Sequence, residues 1–123
     1  MIPMTSKIYD PQNIFAKILR GEIPNKTIFE NEFALAFYDI YPKAAVHALV
    51  IPKGAYIDMV DFGARATPTE ITAFYQVVSH VAGLLNIDQS GCRMISNVGN
   101  NGGQEVPHFH VHILGGERLG PMI

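Results

Sequence analysis

At 123 residues the chain has the size of a single domain, which sets multidomain readings aside. Apolar residues make up 48% of it, too many for a disordered or collagen-like protein, and a formal net charge of −2 offers no basic field for nucleic acid or anionic lipid. Only 16% of the residues are charged, against roughly 25% in typical domains, so much of the surface is expected to be apolar, with self-association as its simplest use.

Asp10 before Pro11 reads as a helix start, because the carboxylate accepts an early backbone N–H and proline at the first helical position gives up no needed donor. Ile14, Phe15, Ile18 and Leu19 then recur at helical spacing, and Gly21 supplies the stop. Residues 26–30 and 33–40 are β-rich runs separated by Asn31-Glu32, a hairpin, and residues 48–51 form a third strand before Pro52. The middle run is almost continuously apolar, which predicts cover on both faces. Thr67-Pro68-Thr69-Glu70 is a capping box opening the longest helix, whose Ile71, Phe74, Val78, Val81 and Leu85 form one stripe. A turn at residues 88–91 leads to a strand at 92–97, a loop rich in Gly and Asn at 99–103, and a last strand at 106–114. Five strands and two main helices in this order predict an α+β fold, an antiparallel sheet partly covered by helices.

Cys92 is the single cysteine, so no internal disulfide and no Cys-x-x-Cys zinc pair is available. Residues 1–10 lack the apolar stretch of a signal peptide, and no apolar run approaches the ~18 residues of a membrane span. A cytoplasmic protein without a membrane partner is expected.

Three of five histidines alternate in His108-Phe109-His110-Val111-His112. On a strand, period-two geometry puts the imidazoles on one face and Phe109, Val111 and Ile113 on the other. Three such groups used only structurally would be costly, since they repel when protonated and need partners when buried. Two chemistries remain open. A metal would take two of them plus an outside ligand such as His47, because the outer pair lies about 13 Å apart while nitrogens sharing one zinc approach to about 3.4 Å. Phosphorus chemistry suits a row, with one neutral imidazole attacking and its neighbours donating. His80, on the long helix, reads as a surface or packing residue.

The run His108-Phe109-His110-Val111-His112-Ile113-Leu114 resembles the signature of the histidine triad (HIT) superfamily. The likeness extends to residues 14–18, 36–40 and 47–53 and to Asn97 with Gly102-Gly103-Gln104; Gly115-Gly116 after the triad favours the Hint branch over the Fhit branch. It implies a HIT domain over residues 12–123 after an N-terminal extension at 1–11. It further implies a five-stranded sheet that dimerises into a ten-stranded one, with the tail at residues 116–123 reaching toward the partner's site. The implied activity is hydrolysis of nucleoside 5′-phosphoramidates, adenosine monophosphate joined to an amine, through a nucleotidyl-histidine intermediate and without a cofactor. Cleavage of dinucleoside polyphosphates and a non-catalytic nucleotide-binding adaptor are the alternatives.

Carried onto this chain, the resemblance makes His110 the nucleophile. His112 would contact the phosphate and the leaving group, His108 would orient its neighbours, and His47 would complete the hydrogen-bond set. Asp39 would accept from the ribose hydroxyls, and Ile40, Phe37, Ile14, Phe15, Ile18 and Ile23 would line the base pocket. Asn97, Gly103, Glu105 and Val106 would face the phosphate. Asn13 and Ala16 stand where some relatives carry a zinc-binding Cys-x-x-Cys, so no structural metal is expected. Glu105 replaces a serine found in other members, which brings a negative charge toward an anionic substrate.

Overall fold

The computed structural model describes residues 7–123; the first six residues of the expected N-terminal extension lie outside the described residues. Asn31 closes the first hairpin. Its side-chain oxygen accepts from the amides of Phe33 (2.9 Å) and Ala34 (3.0 Å), fixing the turn between β1 (Thr27–Glu30) and β2 (Ala34–Tyr38). Strand β3 (Val46–Pro52) pairs with β2 on one side and with β5 (Val111–Gly115) on the other, and β4 (Cys92–Ile95) lies outermost beside β5. The sheet order is β1-β2-β3-β5-β4 and every pairing is antiparallel, the expected α+β architecture.

Alternation gives this sheet two unlike faces. Ala34, Ala36, Ala48, Val50, Val111 and Ile113 point to one, where they meet Phe74, Val77, Val78 and Val81 of helix α3 (Pro68–Leu84). Small alanines on the strands leave room for large rings: Phe109 packs 4.8 Å from Phe62 and 4.9 Å from Phe74, centroid to centroid. Leu35, Phe37, Leu49 and Ile51 point to the second face, beneath Phe15 and Ile18 of helix α1 (Ile14–Leu19). The expected capping box is present, with Thr67 Oγ1 accepting from the Glu70 amide (3.1 Å) and Glu70 Oε1 from the Thr67 amide (3.0 Å).

Several expectations need correction. Helix α1 starts at Asn13, whose Oδ1 accepts from Ala16 N (2.9 Å), rather than at Asp10-Pro11. Asp10 spends its carboxylate on Gln12 N (2.9 Å) in a turn just before the helix. The last strand begins at Val111 instead of residue 106, because Pro107 has no N–H for a ladder and Val50 is the final β3 partner. Helix α2 (Met59–Arg65) was not expected. Gly63 at its centre masks the helical pattern, while the Asp58 cap on Asp61 N (2.8 Å) and the Asp61–Arg65 pair sustain it. Strands β2 and β4 each stop two residues short of the expected ends, and β3 begins early enough to include His47. Among the described residues no helix is long and apolar enough to cross a membrane.

Candidate active site

Only His112 of the three alternating histidines lies on a strand; His108 and His110 sit in the segment that leads into β5. The alternation nevertheless survives there, because Phe109 is drawn into the main core and its amide donates to Tyr56 O (2.8 Å). His47 on β3 lies opposite Leu114, and His112 lies opposite Leu49, so the two imidazoles are diagonal neighbours. Their rings are 5.2 Å apart, and His110 stands 5.0 Å from His112, giving one continuous cluster. His80 takes no part in it: it is exposed and packs its ring 4.8 Å from Phe29.

Hydrogen-bond partners fix where each proton sits. A carbonyl can only accept, so His110 Nδ1, 2.7 Å from His108 O, carries a hydrogen and a neutral His110 has a bare Nε2. His108 Nε2 donates to Pro52 O (2.9 Å), so His108 Nδ1 accepts, and the Tyr9 hydroxyl donates to it at 2.7 Å. An amide can only donate, so Lys43 N–H puts the lone pair on His47 Nδ1 (3.0 Å) and the proton on His47 Nε2. That proton points to His112 Nδ1 at 2.9 Å, with Asp39 Oδ2 a longer 3.4 Å away. His112 therefore holds its own hydrogen on Nε2, on the ring edge turned away from His47.

These tautomers require neutral rings, and burial keeps them neutral at pH 7. It pushes His108 down to about 4, and His112 also to about 4 with the neighbouring His110 and His47 adding to the effect. His110 and His47 are likewise lowered by burial; the hydrogen bond to His108 O and the carboxylates of Asp39 and Glu105 oppose this at His110, as Asp39 does at His47. A ring harder to protonate folded than unfolded leaves stability intact above pH 6.5 and removes it as pH falls toward 4. For the fully buried His108, a shift from 6.5 to about 4 corresponds to about 3 kcal/mol. Urea midpoints are expected to decline steadily through that window, and more gently in His108→Gln. A wild-type midpoint that stays level from pH 6.5 to 4 would contradict the buried neutral row.

Asp39, His47 and His112 offer ligand atoms within 4.8 Å of one another, a donor set that suits a transition metal. The proton positions oppose this use. A cation would take the place of the His47 Nε2 proton, and moving that proton to Nδ1 would set it against the Lys43 amide, donor to donor. The cluster also contains one triad histidine where the metal reading from sequence required two.

The apolar residues expected around a base divide. Phe15, Ile18 and Phe37 form the second-face cluster, with Ile23 and Val106 packed against it, and Phe15 meets the His110 ring edge-on at 4.9 Å. Ile14 and Ile40 stay exposed, at 44% and 76%. Asp39 follows β2; its Oδ1 accepts from Tyr41 N (2.8 Å) and its Oδ2 faces His47. Asn97 and Gly103 lie in the segment between β4 and β5, where Glu105 is exposed.

Three residues outside that expected set hold the site together. Gln104 gathers the glycine-rich loop, accepting from Gly99 N (2.9 Å) and donating to Ile57 O (2.8 Å) and Val106 O (3.0 Å). Ser96 Oγ donates to His110 O (2.8 Å), steadying the backbone of the central histidine. Tyr9 reaches His108 from the expected extension. Gly102 belongs with them, since a Cβ there would stand 2.5 Å from Val98 O.

A row of alternating imidazoles, backed by a fourth on the adjacent strand and bordered by an apolar face under a short helix, defines the class of histidine triad proteins. The HIT domain model matches residues 20–119, and the chain belongs to this family. It is 56% identical over 118 residues to an uncharacterised 13.2 kDa HIT-like protein of Azospirillum brasilense, covering 96% of this chain and 97% of that one. It is 38% identical over 112 residues to the purine nucleoside phosphoramidase of Escherichia coli K12, covering 91% and 93%. The structure of a HIT family hydrolase from Clostridium thermocellum superposes with a TM-score of 0.80 at 34% identity, covering 91% of this chain and 96% of that one.

Proposed function

We propose that this protein is a nucleotide-binding hydrolase that cleaves nucleoside 5′-phosphoramidates, adenosine monophosphate joined to an amine, by way of a covalent intermediate on His110. One observation carries the reading: His110 Nδ1–H is tied to His108 O at 2.7 Å, which leaves Nε2 as an uncommitted lone pair on a neutral ring. In the first step the His110 Nε2–P bond forms and the P–N bond to the amine breaks, the amine taking up one proton as it leaves. The substrate's negative charge draws a proton onto the otherwise neutral His112 at Nδ1, the His47 Nε2–H turning from it to Asp39 Oδ2 (3.4 Å), and His112 Nε2–H then supplies the amine's proton. In the second step water attacks phosphorus, breaks the P–N bond to His110 and returns a proton, leaving the nucleoside monophosphate. The His110 ring becomes positive while phosphorylated. The carboxylates of Asp39 and Glu105, which favour a charged His110, act on that intermediate, so a negative Glu105 fits this chemistry.

Asp39 takes the ribose hydroxyls, the second-face cluster with Ile14 and Ile40 at its rim takes the base, and Asn97, Gly103 and Val106 take the phosphate. The test is release of adenosine monophosphate from an adenosine phosphoramidate, with and without a chelator. Chelator-resistant turnover is expected. Binding without turnover would favour an adaptor, and preferential cleavage of a diadenosine polyphosphate would favour the other hydrolase class.

The active form is a cytoplasmic homodimer with no cofactor. Among the described residues strand β4 pairs with β5 alone, and Met94 and Ile95 on it are 47% and 37% exposed, so a second copy adding there would extend the sheet to ten strands and cover them. The tail is already held near this edge by Arg93 Nη2 donating to Gly120 O (2.8 Å), placed to approach a partner's site. Light scattering at micromolar concentration is expected to give twice the chain mass, and a monomer would overturn the dimer.

A further inference from the structure

Tyr9 precedes the span that matches the family and has no part in the chemistry described above. Its hydroxyl nonetheless reaches across 99 residues of sequence to His108 Nδ1 at 2.7 Å, and its ring meets the imidazole edge-on at 5.7 Å. His108 is completely buried, so an acceptor on its ring has no water to turn to. The approach is held on both sides. Lys7 Nζ lies 3.6 Å from Asp58 Oδ2, and Asp10 O accepts from Asn13 N (3.2 Å) and Asn13 Nδ2 (2.7 Å), anchoring the chain before and after Tyr9.

We propose that Tyr9 is a positioning residue for the histidine row, its hydroxyl pinning the second nitrogen of the buried His108 ring so that the His108 carbonyl holds His110 in its attacking orientation. With Pro52 O on Nε2 and Tyr9 on Nδ1, the His108 ring is fixed at both nitrogens. The backbone oxygen of the same residue receives His110 Nδ1–H, so residue 108 joins Tyr9 to the nucleophile. Removing the hydroxyl leaves Nδ1 an orphaned acceptor. The ring then gains by rotating toward another donor, and that change moves residue 108. This inference rests on the hydrolytic reading for its kinetics but not for its geometry.

Two measurements test it on the full chain. Tyr9→Phe keeps the ring contact and removes only the donor. Its kcat for an adenosine phosphoramidate is expected to fall about tenfold, with KM within about twofold of wild type. In nitrogen-15 spectra of the histidines, His108 is expected to show one neutral tautomer with hydrogen on Nε2 in the wild type, and in the variant an Nδ1 resonance displaced by loss of the hydrogen bond it accepts. Unchanged kcat in Tyr9→Phe, or a His108 Nδ1 resonance that the substitution does not move, overturns the proposal. If the wild-type protein turns over no phosphoramidate, the hydrolytic reading fails and the spectra alone decide the role of Tyr9.

Discussion

Replacing His110 with alanine is expected to lower turnover of an adenosine phosphoramidate by at least about a thousandfold while the chain stays folded. His110 has the one ring nitrogen in the row that is both free of a fixed partner and basic at neutral pH: Nδ1 is bound inward to His108 O, and burial holds the ring below its ordinary titration range. Removing it leaves only direct attack by water, without the oriented nucleophile that divides one hard displacement into two easier ones. The fold loses less. The substitution forfeits edge contacts to Phe15 and His112 and leaves the His108 carbonyl short of a donor, about 1–3 kcal/mol in all. Alkaline quenching followed by peptide mass spectrometry is expected to find the nucleotidyl group on residue 110 in wild type and none in the variant. Turnover within tenfold of wild type, or an adduct on another histidine, would remove His110 from the nucleophile's role.

The sequence disclosed those features whose causes are local. The Thr67–Glu70 box is written in four consecutive residues and appears as expected, and Asn31-Glu32 marks a hairpin that Asn31 closes by itself. The alternation of His108, His110 and His112 with apolar residues foretold their shared face even though the ladder starts only at Val111. What stayed hidden depends on distant partners. Asp10 and Asn13 are both competent caps, and the choice turns on Asn13 being buried at the start of the packed α1 while Asp10 closes the turn before it. Gln104 carries part of the family likeness, but its task stays hidden until its amide meets Ile57, 47 positions earlier. The proton positions follow from Lys43 N, Pro52 O and Tyr9 Oη, none of which a histidine pattern names.

The same chain of protons yields the second large effect, a loss in His112→Ala that depends on what departs. His47 Nε2–H donates to His112 Nδ1, so the free donor of His112 is Nε2–H, placed for the atom that leaves phosphorus. An alkylamine is a poor leaving group without a proton, whereas a nitrophenolate departs unaided. Removing the imidazole is therefore expected to lower kcat about 10²–10³-fold for an alkylamine phosphoramidate and less than about tenfold for a nitrophenyl ester of the same nucleotide. The variant has no newly orphaned donor, because the His47 Nε2–H can turn to Asp39 Oδ2, already 3.4 Å away. Its kinetics thus report on chemistry more than on damage to the site. Equal losses on both substrates would mean that His112 acts on the phosphoryl oxygens alone, and the leaving-group proton would then need another source.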